Sequence, residues 1–277
     1  MRRKLAILFI LLQLLLLALL HGGWRAAEQL QVVRCPLPAD ALPGAGPLRI
    51  ALITDVHNRI DLLEQAVDLT AREQPDLIIF GGDFVYIAER FSRTRAAIQQ
   101  LRRLTTIAPT YAIYGNQDYE MQPSFERVFA AAGIPILRNQ RLDWRCPNGS
   151  TLRLVGLGDR NEGDERPELC LPPRDTAPRP PLLLLSHDPE SRHLLRDYGW
   201  DLMLCGHTHG GQVANPFTGR GISFRSDMPE GHYRFDGGRH IYVSRGVGAT
   251  FRMRFFCPPE INILDIAGAP SAPQLSR

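Results

Sequence analysis

Five short polar stretches of this chain carry residue types that bind metals and hydrolyse esters. They are Asp55-Val56-His57, Gly82-Asp83, Gly115-Asn116, Ser186-His187 and Gly206-His207-Thr208-His209. Each alone has an ordinary reading. Asp83 and Asn116 suit turns, His187 suits a helix entry, and a lone His-x-His is a weak motif. Together they supply carboxylates, an amide oxygen and imidazoles, a mixture that two closely spaced divalent ions such as Mn, Fe or Zn accept. Residues at i and i+2 on extended backbone point to one side. Asp55 with His57, and His207 with His209, are therefore expected to face the same way. Two ions about 3.5–4 Å apart lower the pKa of a shared water and clamp phosphoryl oxygens for in-line displacement. No protein nucleophile is then needed.

Such a site requires a scaffold that brings distant strand ends together. Apolar runs at 49–54, 76–80, 110–114, 182–185 and 202–205 precede the polar stretches and read as buried strands. Helical spacing covers 60–73 and stops before Pro75. Ser92 is placed to cap a helix reaching about Leu104, and Pro123-Ser124 opens another that Gly133 ends at Ala132. This alternation implies parallel strands with helices packed on the sheet, and ligands bind outside the carboxyl ends of such strands. Antiparallel strands are expected at 141–145 and 151–157 around Pro147-Asn148-Gly149. A proline-rich excursion follows at 159–181, then a helix to Asp197, a glycine-rich loop at 215–238, and strands at 240–244 and 260–266.

The 277 residues are 44% hydrophobic and 22% charged, ample for a sizeable core, and the net charge of +3 does not argue for a nucleic-acid partner. The N-terminus differs from the rest. Arg2-Arg3-Lys4 is basic, and Leu5 to Leu20 is apolar apart from Gln13. As a helix that run spans about 24 Å, and extension to Trp24 approaches the roughly 30 Å of a bilayer core. The bulky residues at Trp24-Arg25 favour an uncleaved anchor over a signal peptide, and the leading basic residues favour a body outside the cytoplasm. The expected organisation is a transmembrane signal-anchor at 1–24, a linker at 25–47 with one strand at 30–34, a catalytic domain at 48–267 and a frayed tail at 268–277. In an oxidising compartment Cys146 would pair with Cys170 and Cys35 with Cys257, while Cys205 stays a free core thiol. Scattered free thiols are the alternative.

The ordered series D-x-H, G-G-D, G-N-x-D, x-H-D and G-H-T-H-G-G-Q resembles the calcineurin-like metallophosphoesterase superfamily, over roughly Leu48 to Ile266. The resemblance implies an α/β fold, a four-layer α/β/β/α sandwich with two mixed sheets. It implies that Asp55, His57 and His209 hold one metal, that Asn116, His187 and His207 hold a second, and that Asp83 bridges them. Asn116, Gln117 and His207 become the candidate catalytic residues. The basic, apolar N-terminus and Cys257-Pro258-Pro259-Glu260-Ile261 are similar to a membrane-anchored bacterial phosphodiesterase subgroup.

Gln117 departs from the superfamily, which usually has His there as a general acid. An amide cannot protonate a leaving alkoxide, so a contribution of ~10²–10⁴ is missing for poor leaving groups. Pyrophosphates and aryl diesters suffer least. The UDP-2,3-diacylglucosamine pyrophosphatases share the lack of His, which points to a nucleotide-lipid substrate. UDP-linked substrates are cytoplasmic, so the cytoplasmic membrane face stays open beside the periplasmic one. A metal-binding scaffold without turnover is the competing function. Arg59, Arg225, Tyr233, Arg252 and Arg254 are expected near the metal rim, where Arg forms bidentate phosphate contacts.

Overall fold

Two mixed sheets face each other across an apolar seam. A computed structural model describes residues 2–85, 94–177, 179–224, 226–249 and 251–268. The helices are α1 (Arg2–Ala26), α2 (Ile60–Glu73), α3 (Thr94–Ile107), α4 (Asn116–Tyr119) and α5 (Gln122–Ala132). The strands are β1 (Gln31–Leu37), β2 (Leu48–Ile53), β3 (Leu77–Phe80), β4 (Thr110–Ala112), β5 (Gln140–Arg145), β6 (Thr151–Gly156), β7 (Leu182–Leu185), β8 (Leu202–Cys205), β9 (Gly231–Phe235), β10 (Arg239–Val243) and β11 (Glu260–Ile266). The first sheet runs β1-β11-β2-β3-β4 and the second β5-β6-β7-β8-β10-β9. Strands β2, β3 and β4 are mutually parallel, as are β6, β7, β8 and β10.

The period of two along each strand sorts its side chains into layers. From β2, Ala51 and Ile53 join the cluster under α2, α3 and α5, with Phe80, Phe125 and Phe129. Ile50 and Leu52 face the seam and meet Leu183, Leu185, Leu202 and Leu204 of the second sheet. Leu184, Met203 and Ile241 point to the far side, against Leu195 and Trp200. The layers are thus helices, sheet, sheet and a thin outer layer. That outer layer is not the α-helix expected up to Asp197. Pro189–Asp197 is a 3-10 segment, opened by Asp188, whose carboxylate accepts the Glu190 N–H at 2.8 Å.

Three sequence expectations change. The stretch read as a linker joins the first sheet, where β1 pairs in parallel with β11 from Gln31 to Leu37. The strand expected at 30–34 runs on through Pro36 to Leu37, which the outer position tolerates because it needs hydrogen bonds on one side only. The loop expected at 215–238 contains β9, which pairs antiparallel with β10. All five cysteines are free thiols. Cys146 lies in the seam and Cys170 in the outer cluster, on opposite faces of the second sheet, so neither reaches the other. Cys257 lies instead with its Sγ 3.4 Å from the His209 carbonyl. The cap expected at Ser92 and the tail from residue 269 fall outside the described residues.

Candidate metal centre

The loops leaving β2 and β3 run side by side at the carboxyl edge. The Asp55 N–H donates to the Gly82 carbonyl at 2.9 Å, and the His57 N–H to the Asp83 carbonyl at 3.1 Å. Asp55, His57, Asp83, His207 and His209 all have φ between 47° and 68°. The expectation that i and i+2 residues align through extended backbone is therefore wrong. These side chains converge because each backbone is left-handed, a conformation costing about 1–2 kcal/mol per non-glycine residue. Close contacts on every side hold it in place. A Cβ on Gly206 would lie 2.3 Å from Asp55 Oδ2, and one on Gly115 would lie 2.2 Å from Asp83 Oδ1. Only glycine lets the loops come this close to the carboxylates.

Two groups of ligand-type atoms result, each within 4.8 Å: Asp55 with His57 and His209, and Asp83 with His187 and His207. His57 Nε2 and His209 Nε2 are 3.1 Å apart. Asp55 Oδ1 is 3.8 Å from His57 Nε2 and 3.6 Å from His209 Nε2. Asp83 Oδ2 lies between the groups, 3.7 Å from His57 Nε2 and 3.3 Å from His187 Nε2. Its other oxygen accepts the Gln117 N–H at 2.9 Å. Asp55 is fixed by the Thr54 hydroxyl at 2.8 Å and the His207 N–H at 3.2 Å. His187 Nδ1 is 2.8 Å from the Gly81 carbonyl, which can only accept, so Nδ1 carries a proton and Nε2 is the nitrogen turned to the carboxylates.

The electrostatics favour bound cations. Burial opposes ionisation of Asp83, but His187, His57 and the Gln117 N–H outweigh it and hold the carboxyl well below the usual range. Burial likewise opposes charging His187, and Asp83 and Asp55 overcome it to raise that pKa well above the ordinary value. Burial and then His57 depress His209. Divalent ions meet the same demand for positive charge. The buried Asn116 Oδ1 and His209 Nδ1 have no hydrogen-bond partner, and a buried acceptor in that state calls for an unrecorded donor or ion. This residue set fits a dinuclear site. Beneath it Asp118 is fully buried, accepting the Gly115 and Val85 N–H groups at 3.0 Å each. Burial and the nearby Asp83 push its carboxyl up to about 8.

A cleft of about 1130 Å³ opens over these groups, with Asp83, Asn116, Gln117, His207 and His209 among its lining residues. Arg160 and Asn161 also line it. No motif marks them in the sequence, because they sit in the proline-rich excursion. The arginines expected at the rim behave differently. Arg59 is buried and ion-paired to Glu28 and Asp61, tying the end of α1 to the start of α2. Arg254 is fully buried, and its guanidinium donates to the carbonyls of Arg245, Gly246, Gly248 and Cys257. Both are structural: carboxylates hold Arg59, and Arg254 is enclosed with both terminal nitrogens bonded to carbonyls. Tyr233 packs on the outer cluster. Arg252 is exposed, and Arg225 lies outside the described residues.

The profile of the calcineurin-like phosphoesterase family matches residues 48–211, which include every residue of the two groups. The chain belongs to that family. It is 36% identical over 232 residues to the phosphodiesterase YaeI of Escherichia coli, covering 80% of this chain and 83% of that one. It is 33% identical over 222 residues to the uncharacterized metallophosphoesterase YkuE of Bacillus subtilis, covering 78% and 76%. It is 27% identical over 282 residues to the UDP-2,3-diacylglucosamine pyrophosphatase LpxG of Chlamydia trachomatis, covering 78% and 83%. The chain is thus a metallophosphoesterase with hydrolase relatives, and its two groups of ligand-type residues lie in the matched region.

Proposed function

We propose that this metallophosphoesterase is a two-metal phosphodiesterase or pyrophosphatase, held at the bacterial inner membrane by α1. Its substrate would be a membrane-associated phosphodiester or pyrophosphate such as a nucleotide-lipid. The observation that carries the reading is the position of Asp83 Oδ2 between His57 and His187, at 3.7 and 3.3 Å, with Asp55 and His209 beside it. Asp55, His57 and His209 would hold one ion, Asn116, His187 and His207 the other, and Asp83 both. When bound, the pair supplies Lewis acidity to the phosphoryl group and an activated water. The mixed oxygen and nitrogen donor set is one that Mn, Fe and Zn all accept.

The chain's own residues do the rest. Asp55 and Asp83 would hold the ions and offset part of their charge. The Gln117 amide, at the cleft wall, orients a phosphoryl oxygen without donating a proton, which favours good leaving groups. Arg160, exposed at the mouth and 3.9 Å from Asp188, can reach a substrate phosphate. The name of YaeI supports diester chemistry, and that of LpxG a lipid-linked pyrophosphate. The length and apolar character of α1 support the anchor, and Arg2-Arg3-Lys4 in its first turn, before the apolar run, support a periplasmic domain.

The test is manganese-dependent turnover of bis(p-nitrophenyl) phosphate by the full chain in detergent, followed by a leaving-group series with Gln117→His. Turnover is expected, and the substitution should help alkyl leaving groups by up to ~10² while barely changing aryl ones. Metal uptake without turnover of any diester or pyrophosphate would support the scaffold reading instead.

A further inference from the structure

The mouth of the cleft is bordered by large apolar side chains facing solvent. Phe224 is 100% exposed, Phe217 96%, Phe251 71% and Phe256 65%, with Val213 and Ile222 beside them. Single exposed aromatics are ordinary, but six large apolar residues in two joined loops form a patch of the kind that marks an interaction surface. The loops are one unit. The Ala214 N–H donates to the Phe255 carbonyl at 2.8 Å, the Phe255 N–H to the Gln212 carbonyl at 2.9 Å, and the Gln212 amide to the Phe251 and Met253 carbonyls. Phe256 is held at φ 56°, a conformation a bulky residue rarely adopts. The fold thus bears strain while this ring points outward.

The same unit grips the end of the anchor. The Arg254 N–H donates to the Gly23 carbonyl at 3.0 Å, and a Cβ on Gly23 would lie 2.5 Å from the Phe255 ring. Glu28 pairs with Arg59 just beyond. A helix that spans from Leu5 brings residues 20–24 to the headgroup level, where Trp24 sits. Loop 251–256, bonded to residue 23, is then at that level too. Exposed Phe side chains at headgroup depth bury their rings in the acyl boundary.

We propose that loops 213–224 and 251–256 form a rim immersed in the leaflet that holds the end of α1, seating the cleft mouth on the bilayer surface. The substrate is then an amphiphile whose phosphodiester or pyrophosphate enters the cleft while its acyl chains stay in the membrane. This rests on the membrane attachment in the proposed function and adds the surface and orientation that serve it.

The experiment reconstitutes the full chain, in a Cys35→Ser background, into vesicles of phosphatidylethanolamine and phosphatidylglycerol. Spin labels are placed at Phe224→Cys and at Asp175→Cys, which is exposed in the excursion before β7. The label at 224 should collide with a water-soluble nickel chelate at least ~5-fold less than the label at 175, and more with oxygen. Adding Phe217→Ser and Phe256→Asn should return the label at 224 toward water. Asn tolerates the left-handed backbone, so the loop is spared. On the unlabelled chain this pair should change turnover of soluble bis(p-nitrophenyl) phosphate by less than about twofold, because neither residue lines the cleft. Equal chelate access at 224 and 175 in a chain that hydrolyses the soluble diester overturns the rim and leaves the catalytic reading intact. A protected label at 224, with an unlabelled chain that hydrolyses nothing, supports the rim and overturns the catalytic reading.

Discussion

Asp83 is the residue on which the two ligand groups converge. One oxygen is held by the Gln117 N–H, and the other lies within 3.7 Å of imidazoles from both groups. Removing it leaves the imidazoles of both groups facing one another without the shared counter-charge. Asp83→Ala should therefore lose at least one bound metal per chain and on the order of 10³-fold or more in kcat, since an interaction made to the reacting centre disappears. Metal analysis beside steady-state rates checks this, and normal metal content at full rate contradicts it. The identities of these residues were legible in the sequence because motif order specifies them. Their local geometry was not. Periodicity assumes extended backbone, and five of the seven candidate ligands have φ between 47° and 68°. Only close glycines such as Gly206 and Gly115 hinted at how tightly the loops pack.

At the scale of elements, strands with uninterrupted apolar runs were readable, since burial on both faces leaves no other composition. β1 was readable only in part, as a strand at 30–34, because its pairing with β11, more than 200 residues away, decides how far it runs and that it joins the sheet. Arg254 shows the same limit. A loop arginine near a phosphate site looks like a substrate contact, yet its guanidinium bonds the carbonyls of 245, 246, 248 and 257 and so joins the loops after β10 to the His209 segment. Arg254→Met should cost about 3–5 kcal/mol, because several buried carbonyls lose their donors at about 1–3 kcal/mol each. Thermal or urea unfolding of the variant reads this out. A raised KM with unchanged stability would return Arg254 to substrate binding.

The excursion between β6 and β7 supplies a pH-dependent element. Glu165 Oε1 is buried without a hydrogen-bond partner, and burial, the largest influence, pushes this carboxyl up to about 7. The folded state thus holds a proton that the unfolded chain releases near the ordinary Glu value of about 4.5. The stabilisation this proton gives is complete below that value and is lost as pH rises through about 7. Relative to Glu165→Gln, the wild-type melting temperature should fall between pH 5 and pH 7.5. Parallel melting curves for the two proteins across that range would contradict this.

For the whole molecule, the order of strands explains why one edge carries the candidate site. β2, β3 and β4 of the first sheet and β7 and β8 of the second all end at the same rim, so residues from position 55 to 209 meet in one cleft. The family resemblance predicted the two mixed sheets, and the structure bears them out. The thinness of the outer layer was hidden, because helical spacing in a nine-residue segment does not separate a 3-10 helix from an α-helix. The central claim is that two ions, both held by Asp83, do the chemistry. The most direct measurement strips the full chain with a chelator and returns manganese stepwise, following bound metal and hydrolysis of bis(p-nitrophenyl) phosphate together. The account predicts no turnover in the stripped chain and activity that reaches its maximum only as the second equivalent binds. Full activity after one equivalent, or in the stripped chain, would contradict it.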